Sequence, residues 1–139
     1  MRYEKSCGFV VYKQVEGVLY YLVILSSNGD LGFPKGHVEL GESEYETAIR
    51  ELKEETNVEV EILEGFRYEF EYKLPYKKNV MKQCVYFVGK CVSEDICCLE
   101  KEVLDAKFVS LERAVSALTF DDTRKLLKEA DAYIKAHIE

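Results

Sequence analysis

The chain has 139 residues, 47% of them hydrophobic and 32% charged, the size and balance of one folded domain spanning residues 1–139 rather than of a disordered or fibrous chain. A formal net charge of -7 argues against a broad basic face for long nucleic acid, and no apolar run is long enough to span a bilayer. Five cysteines and no recognisable secretory leader point to a reduced, cytoplasmic chain, and Cys84, Cys91, Cys97 and Cys98 lack the C-x-x-C spacing of a zinc site, so they read as small buried or half-buried hydrophobes.

Residues 6–12 (S-C-G-F-V-V-Y) predict a first strand and residues 18–25 (V-L-Y-Y-L-V-I-L) a second, with Glu16-Gly17 as the hairpin turn between them. The second run is almost continuously apolar, as expected of a strand covered on both faces. Residues 26–36 are rich in turn formers, and residues 37–40 are extended.

A helix then starts at Ser43, whose side chain is a good N-cap, and Glu46 three residues on completes a capping box. Tyr45, Ala48, Ile49, Leu52 and Thr56 fall on one face at helical spacing and are expected to pack on a sheet, with the acidic residues flanking that stripe at the edge of a cleft. Asn57 stands where a left-handed residue closes a helix.

Residues 58–63 alternate as a strand. Residues 66–74 (F-R-Y-E-F-E-Y-K-L) form another, with Tyr68, Phe70, Tyr72 and Leu74 on one face. A basic turn over residues 75–79 leads into a long returning strand, 80–92, and a loop over 93–102 precedes a short strand at 106–109. Ser110 can cap a short helix. Thr119 or Asp121 can cap the last one, whose apolar stripe runs through Leu126, Leu127, Ala130, Tyr133, Ile134 and His137. This order implies a mixed sheet with helices on both faces, an α/β (α+β) sandwich of α/β/α type.

Chemistry is concentrated between Gly36 and Val58. Glu51 lies three and four residues before Glu54 and Glu55, and like charges at those spacings cost a helix a few tenths of a kcal/mol per pair, about the same each time. Carboxylates clustered with no basic partner at the matching spacing suit a hard cation such as Mg2+, which prefers oxygen ligands.

Gly36, five residues, Glu42, seven residues, then Arg50-Glu51-Leu52-Lys53-Glu54-Glu55-Thr56-Asn57-Val58 closely resembles the box of the Nudix family. The one departure is Asn57, where the family pattern has Gly. The resemblance implies a loop–helix–loop that binds divalent metal, Mg2+ with Mn2+ as the alternative ion, and hydrolyses a nucleoside diphosphate linked to another group. It implies Gly36, Glu51, Glu54, Glu55 and Glu102 as metal ligands, with Glu100 competing for the place of Glu102. Glu51, Arg50, Glu54 and Glu55 form the implied catalytic set. Glu51 is a candidate general base, Arg50 orients the carboxylates, and Glu42 ligates through water or braces the loop.

Cys7-Gly8, the run from Pro34 to Glu39, Gly41-Glu42, Glu46-Thr47-Ala48 and Glu64-Gly65-Phe66 further resemble the asymmetric diadenosine tetraphosphate hydrolases of that family. This likeness implies a small nucleotide as substrate and the release of ATP and AMP. It places Lys35, His37 and Lys82 on the phosphates and Tyr72 on a base. Lys82 and Tyr86 share a strand face and can line one pocket. The bland reading of His37 is a hydrogen bond within its loop, and that of Tyr72 is a place in an aromatic core stripe. The competing functions are a nucleoside triphosphate pyrophosphatase, an RNA 5'-pyrophosphohydrolase and a non-catalytic nucleotide-binding module. The protein is expected to be a monomer or small homo-oligomer with no membrane partner.

Overall fold

A computed structural model describes residues 2–98 and 100–138. The longest strands, β1 (Arg2–Val15) and β7 (Val80–Ser93), lie side by side and parallel from Arg2↔Val80 to Tyr12↔Lys90. Everything else is hung on that pair. With one edge of β1 taken by β7, its other edge is shared. β2 (Val18–Ser26) pairs with residues 12–15, and the three-residue β4 (Lys35–His37) pairs with residues 6–8.

The free edge of β7 is shared in the same way, by β5 (Glu59–Ile62) and β6 (Tyr68–Lys73). On β2 the outer edge carries β8 (Val103–Ser110), while the two-residue β3 (Leu31–Gly32) pairs with Ile24 and Leu25. Since β1–β7 is parallel and the other pairings antiparallel, the sheet is mixed, as the element order predicts.

Strict alternation along β1 and β7 makes two cores. Cys7, Phe9, Val11, Val85 and Phe87 face α1 (Glu44–Thr56), while Val10, Tyr12, Cys84, Tyr86 and Val88 face α2 (Leu111–Ala117) and α3 (Asp121–His137). Residues of β2 divide likewise, Leu22 and Ile24 to one side and Tyr21 and Val23 to the other, so the run is covered on both faces as its composition requires. Among the described residues no helix is long and apolar enough to cross a membrane.

Several local expectations are met. Glu16 and Gly17 both take positive φ in the turn between β1 and β2, and Ser43 and Glu46 form the reciprocal capping box. Asn57 closes α1 in the left-handed region (φ 63°, ψ 11°). Ser110 caps α2 by accepting from the Arg113 amide.

Others are corrected. The stripe of α1 is turned toward its C-terminal half: Thr47, Ala48, Leu52, Glu55 and Thr56 are buried, whereas Tyr45 and Ile49 are 38% and 47% exposed. Tyr45 still stacks on Phe87 at 4.1 Å, so it rims the core rather than filling it. The strand expected at 106–109 begins three residues earlier, because Val103 and Ala106 are both core residues. The residue preceding α3 is Phe120, with no side-chain cap; the Thr119 hydroxyl accepts from the Leu31 amide instead. Tyr133 is only partly buried and His137 is exposed, stacked on Tyr133 and bonded to its carbonyl. Cys97 is exposed rather than packed, and all five cysteines are free.

Candidate active site

The pairing of β1 with β4 ends at Gly8, and its pairing with β2 begins at Tyr12. Beside this change of partner a cleft of about 1120 Å3 reaches from the α1 side to the α3 side. Lys35, Gly36, His37, Glu51, Glu55, Tyr72, Lys82, Tyr86, Glu100 and Glu102 all line it. Ten positions picked out from separate stretches of sequence thus meet in one cavity, of a size that suits a small-molecule ligand.

One wall is acidic and comes from the loop and helix around Gly36–Thr56. Glu51 reaches over β4 to Gly36, where a Cβ would stand 1.9 Å from the Glu51 Cδ and 2.2 Å from an oxygen. Only glycine leaves room for that carboxylate. Glu55 is 7% exposed and meets Glu51. Burial first, then the charge of Glu51 and their shared hydrogen bond, hold the Glu55 carboxyl far above its usual range; the Lys35 backbone amide pulls the other way.

Arg50 is the hub of this wall. Its Nε donates to Glu42 Oε2 at 2.6 Å and its guanidinium also reaches Glu42 Oε1 at 3.0 Å, the forked geometry that arginine makes with a carboxylate. It donates further to Glu51 at 2.8 Å, Glu54 at 3.1 Å and the His37 carbonyl at 3.0 Å. The acidic run therefore does have a basic partner at helical spacing, Arg50 to Glu54, which sequence reading discounted. Glu42 also accepts from Thr47 Oγ1 at 2.8 Å and the Glu39 amide at 3.0 Å. With both oxygens engaged it braces the loop, and Arg50 above all holds its carboxyl down to about 2. Neither Arg50 nor Glu54 lines the cleft itself.

The other wall is basic and aromatic. Lys82 is 6% exposed, with Nζ 3.2 Å from His37 Nε2. Burial is the first cause that lowers the pKa of both groups; Lys35 adds to it at Lys82, and Lys82 adds to it at His37. Tyr72 lies directly across from Lys82 in the β6–β7 ladder and stacks on Phe70, which stacks in turn on Tyr86 at 6.0 Å. Tyr86 is fully buried, yet its hydroxyl has no hydrogen-bond partner among the described residues. A buried polar group is ordinarily paired, so an orphan lining a cleft points to a ligand atom.

Among the lining residues that sequence reasoning missed are Tyr76, Phe120 and Asp122. Tyr76 is exposed in the β6–β7 turn, and Phe120 is 55% exposed at the start of α3. A signal was there for Phe120. An aromatic occupies the cap position where Ser, Thr or Asp is preferred.

The donor set fits a hard divalent cation: carboxylate oxygens on α1, the glycine cradle that lets Glu51 approach β4, and Glu100 and Glu102 on the facing segment. Among the described residues no three acidic, His or Cys side chains are drawn together into a ready-made cage; Arg50 holds Glu51 and Glu54.

The NUDIX domain family matches residues 8–130. The asymmetrical bis(5'-nucleosyl)-tetraphosphatase of Caenorhabditis elegans is 30% identical over 132 residues, covering 94% of this chain and 96% of the relative. The corresponding tetraphosphatase of Sus scrofa is 29% identical, covering 94% and 95%. Among solved structures, a binary complex of a C. elegans Ap4A hydrolase superposes with a TM-score of 0.86 at 29% identity, covering 96% of this chain and 98% of that one. With a family match over most of its length and relatives alike from end to end, the chain belongs to the NUDIX family of hydrolases, which act on phosphoanhydrides.

Proposed function

We propose that the protein hydrolyses dinucleoside polyphosphates, diadenosine tetraphosphate foremost, to ATP and AMP, with water attacking phosphorus and Mg2+ as the working ion. One observation carries this reading: Glu51 and Glu55 of the family's box and a wall of cationic, aromatic and orphaned polar groups open into the same cleft. Both tetraphosphatase relatives, alike over nearly the whole chain, support the substrate.

Glu51, Glu54 and Glu55, with the Gly36 carbonyl and Glu102 or Glu100, would hold the cation. Bound there, it would neutralise phosphate oxygens and acidify water. The remaining work falls to the chain. Arg50 fixes the rotamers of Glu51 and Glu54, so each presents one defined oxygen. Glu42 in turn fixes Arg50. The family resemblance makes Glu51 the candidate base, and it lies over Gly36 in the cleft. Lys35, Lys82 and His37 meet the polyphosphate, and the low-dielectric setting of Lys82 strengthens that attraction. Tyr72, with Phe120 and Tyr76 at the same mouth, offers aromatic faces for a base.

The test is a product assay with diadenosine tetraphosphate, nucleoside triphosphates and triphosphorylated RNA, each with and without Mg2+. ATP plus AMP, formed only with the ion, is the expected result. Monophosphate and pyrophosphate from triphosphates, with the tetraphosphate untouched, would overturn the reading.

A further inference from the structure

Asn57 is the single position at which this chain departs from the family's box. Its left-handed conformation would suit glycine at least as well, since glycine carries no Cβ. Asparagine can do one thing there that glycine cannot. Its Nδ2 donates to the Asp95 carbonyl at 2.9 Å, reaching 38 residues along the chain.

That bond is one of a pair. The Cys97 amide donates to the Thr56 carbonyl at 3.0 Å, satisfying one of the acceptors that the last turn of α1 leaves open. The segment leaving β7 is therefore fastened to the C-terminus of α1 at two adjacent points, Asn57 to Asp95 and Thr56 to Cys97. Ile96 and Cys98 pack beside them against the α1-side core. At its far end the Glu102 carbonyl accepts from the Ser27 amide at 2.7 Å. Between these anchors lie Glu100 and Glu102, both in the wall of the cleft.

We infer that Asn57 is a positioning residue: its side-chain amide clamps the β7–β8 segment to the helix that carries Glu51, Glu54 and Glu55, so that Glu100 and Glu102 are presented to those carboxylates at a set distance. The inference rests on the metal reading above, because the alignment of the two acidic groups matters most if they share a cation. Groups that orient metal ligands typically cost about 10- to 100-fold in metal affinity or activity when removed. A single neutral hydrogen bond acting through the backbone belongs at the lower end.

Asn57→Gly and Asn57→Asp both lose the donor while tolerating the left-handed conformation. Three readouts are taken on each: Mn2+ binding without substrate, deuterium uptake of peptides covering residues 94–98, and melting temperature. The expected result is an Mn2+ dissociation constant raised about tenfold, faster exchange at Ile96 and Cys97, and for Asn57→Gly a melting temperature within about 2 °C of wild type. In a Glu100→Gln/Glu102→Gln background, Asn57→Gly should weaken Mn2+ binding no further. Either variant binding Mn2+ as wild type does, or unchanged exchange in that segment, overturns the inference. Wild-type protein that binds no Mn2+ gives a different signature; it removes the metal reading, and the inference falls with it.

Discussion

The two walls of the cleft are built in opposite ways. The carboxylate wall comes from one run of 23 residues, Gly36 to Val58, whose spacing alone sets Arg50 against Glu54 and Glu51 beside Glu55. The facing wall is collected from β4, β6, β7, the turn between the last two and the start of α3, segments far apart in the chain; nearby, Leu31 bonds Thr119 across 88 residues. The first wall is local, and on the proposed function it sets the reaction class. The second is assembled by the tertiary fold and, on the same proposal, sets what is bound. If that division is right, damage to the first wall should fall on turnover and damage to the second on affinity.

The largest effect is expected from Glu55→Gln. Removing what is proposed as a direct metal ligand should lower kcat by more than about a hundredfold, the upper end of what indirect partners cost. Glu55 is buried, so sequence reading was wrong to place it outside the packed face, but Gln keeps its shape. The fold should survive and gain. Unfolded, the carboxyl ionises near 4.5; folded, burial and Glu51 keep it protonated to much higher pH. The native state then binds the extra proton, and wild-type stability falls as pH rises above about 4.5. In EDTA, the melting temperature of Glu55→Gln minus that of wild type should widen from pH 5 to pH 8. Addition of Mn2+ should stabilise wild type far more than the variant. A Glu55→Gln protein less stable than wild type at pH 8 in EDTA would make Glu55 a structural residue.

Next comes Gly36→Ala. The added methyl would lie 1.9 Å from the Glu51 carboxyl carbon, a distance nothing tolerates, so Glu51 must leave its place over β4. The clash is with the far end of a flexible side chain and not with backbone, so the fold yields at little cost and the damage falls on the placement of Glu51. Activity should fall by about a hundredfold, because displacing a ligand costs at least what losing its supports does. Near-normal turnover with a clear drop in melting temperature would separate the glycine from the chemistry.

How far the sequence reveals each wall follows from the same division. Helix start, capping box and left-handed stop depend on contacts within four residues, so Ser43, Glu46 and Asn57 could be placed without a fold. The α1 stripe was misjudged at Tyr45 and Ile49 because periodicity fixes a face but not its rotation against the sheet, which the packing of Ala48 and Leu52 into the α1-side core decides. On the other wall, the parity of Lys82 and Tyr86 was readable, being a property of one strand. That Phe120 would join Tyr72 was not, since only the packing of α3 on the sheet brings them to one mouth. Thr119, expected as a helix cap, shows the same limit: its hydroxyl is claimed by the Leu31 amide across the molecule.

Tyr72→Ala and Phe120→Ala probe that long-range wall. Each should raise KM for diadenosine tetraphosphate about tenfold with little change in kcat, the range for removing one aromatic from a base. Phe120 is the cleaner of the two. Its exposure means that truncation removes little packing, whereas Tyr72 also stacks on Phe70. A fall in kcat with KM unchanged, in either variant, would break the division between the walls.

The smallest effect, and the most pointed, belongs to Tyr86→Phe. Deleting a hydroxyl from a core ordinarily breaks a hydrogen bond and destabilises, but the Tyr86 hydroxyl has no partner among the described residues to lose. A buried polar group without a partner carries a desolvation cost of about 1–3 kcal/mol, so the phenylalanine variant should melt at or above the wild-type temperature. Binding should move the other way, with KM raised a few-fold, about the worth of one neutral hydrogen bond to substrate. Gain in stability paired with loss in affinity marks a group held unsatisfied for a ligand. If stability and KM are both unchanged, the orphaned hydroxyl contributes nothing to the second wall, and affinity there rests on Lys35, His37, Lys82 and the aromatic faces alone.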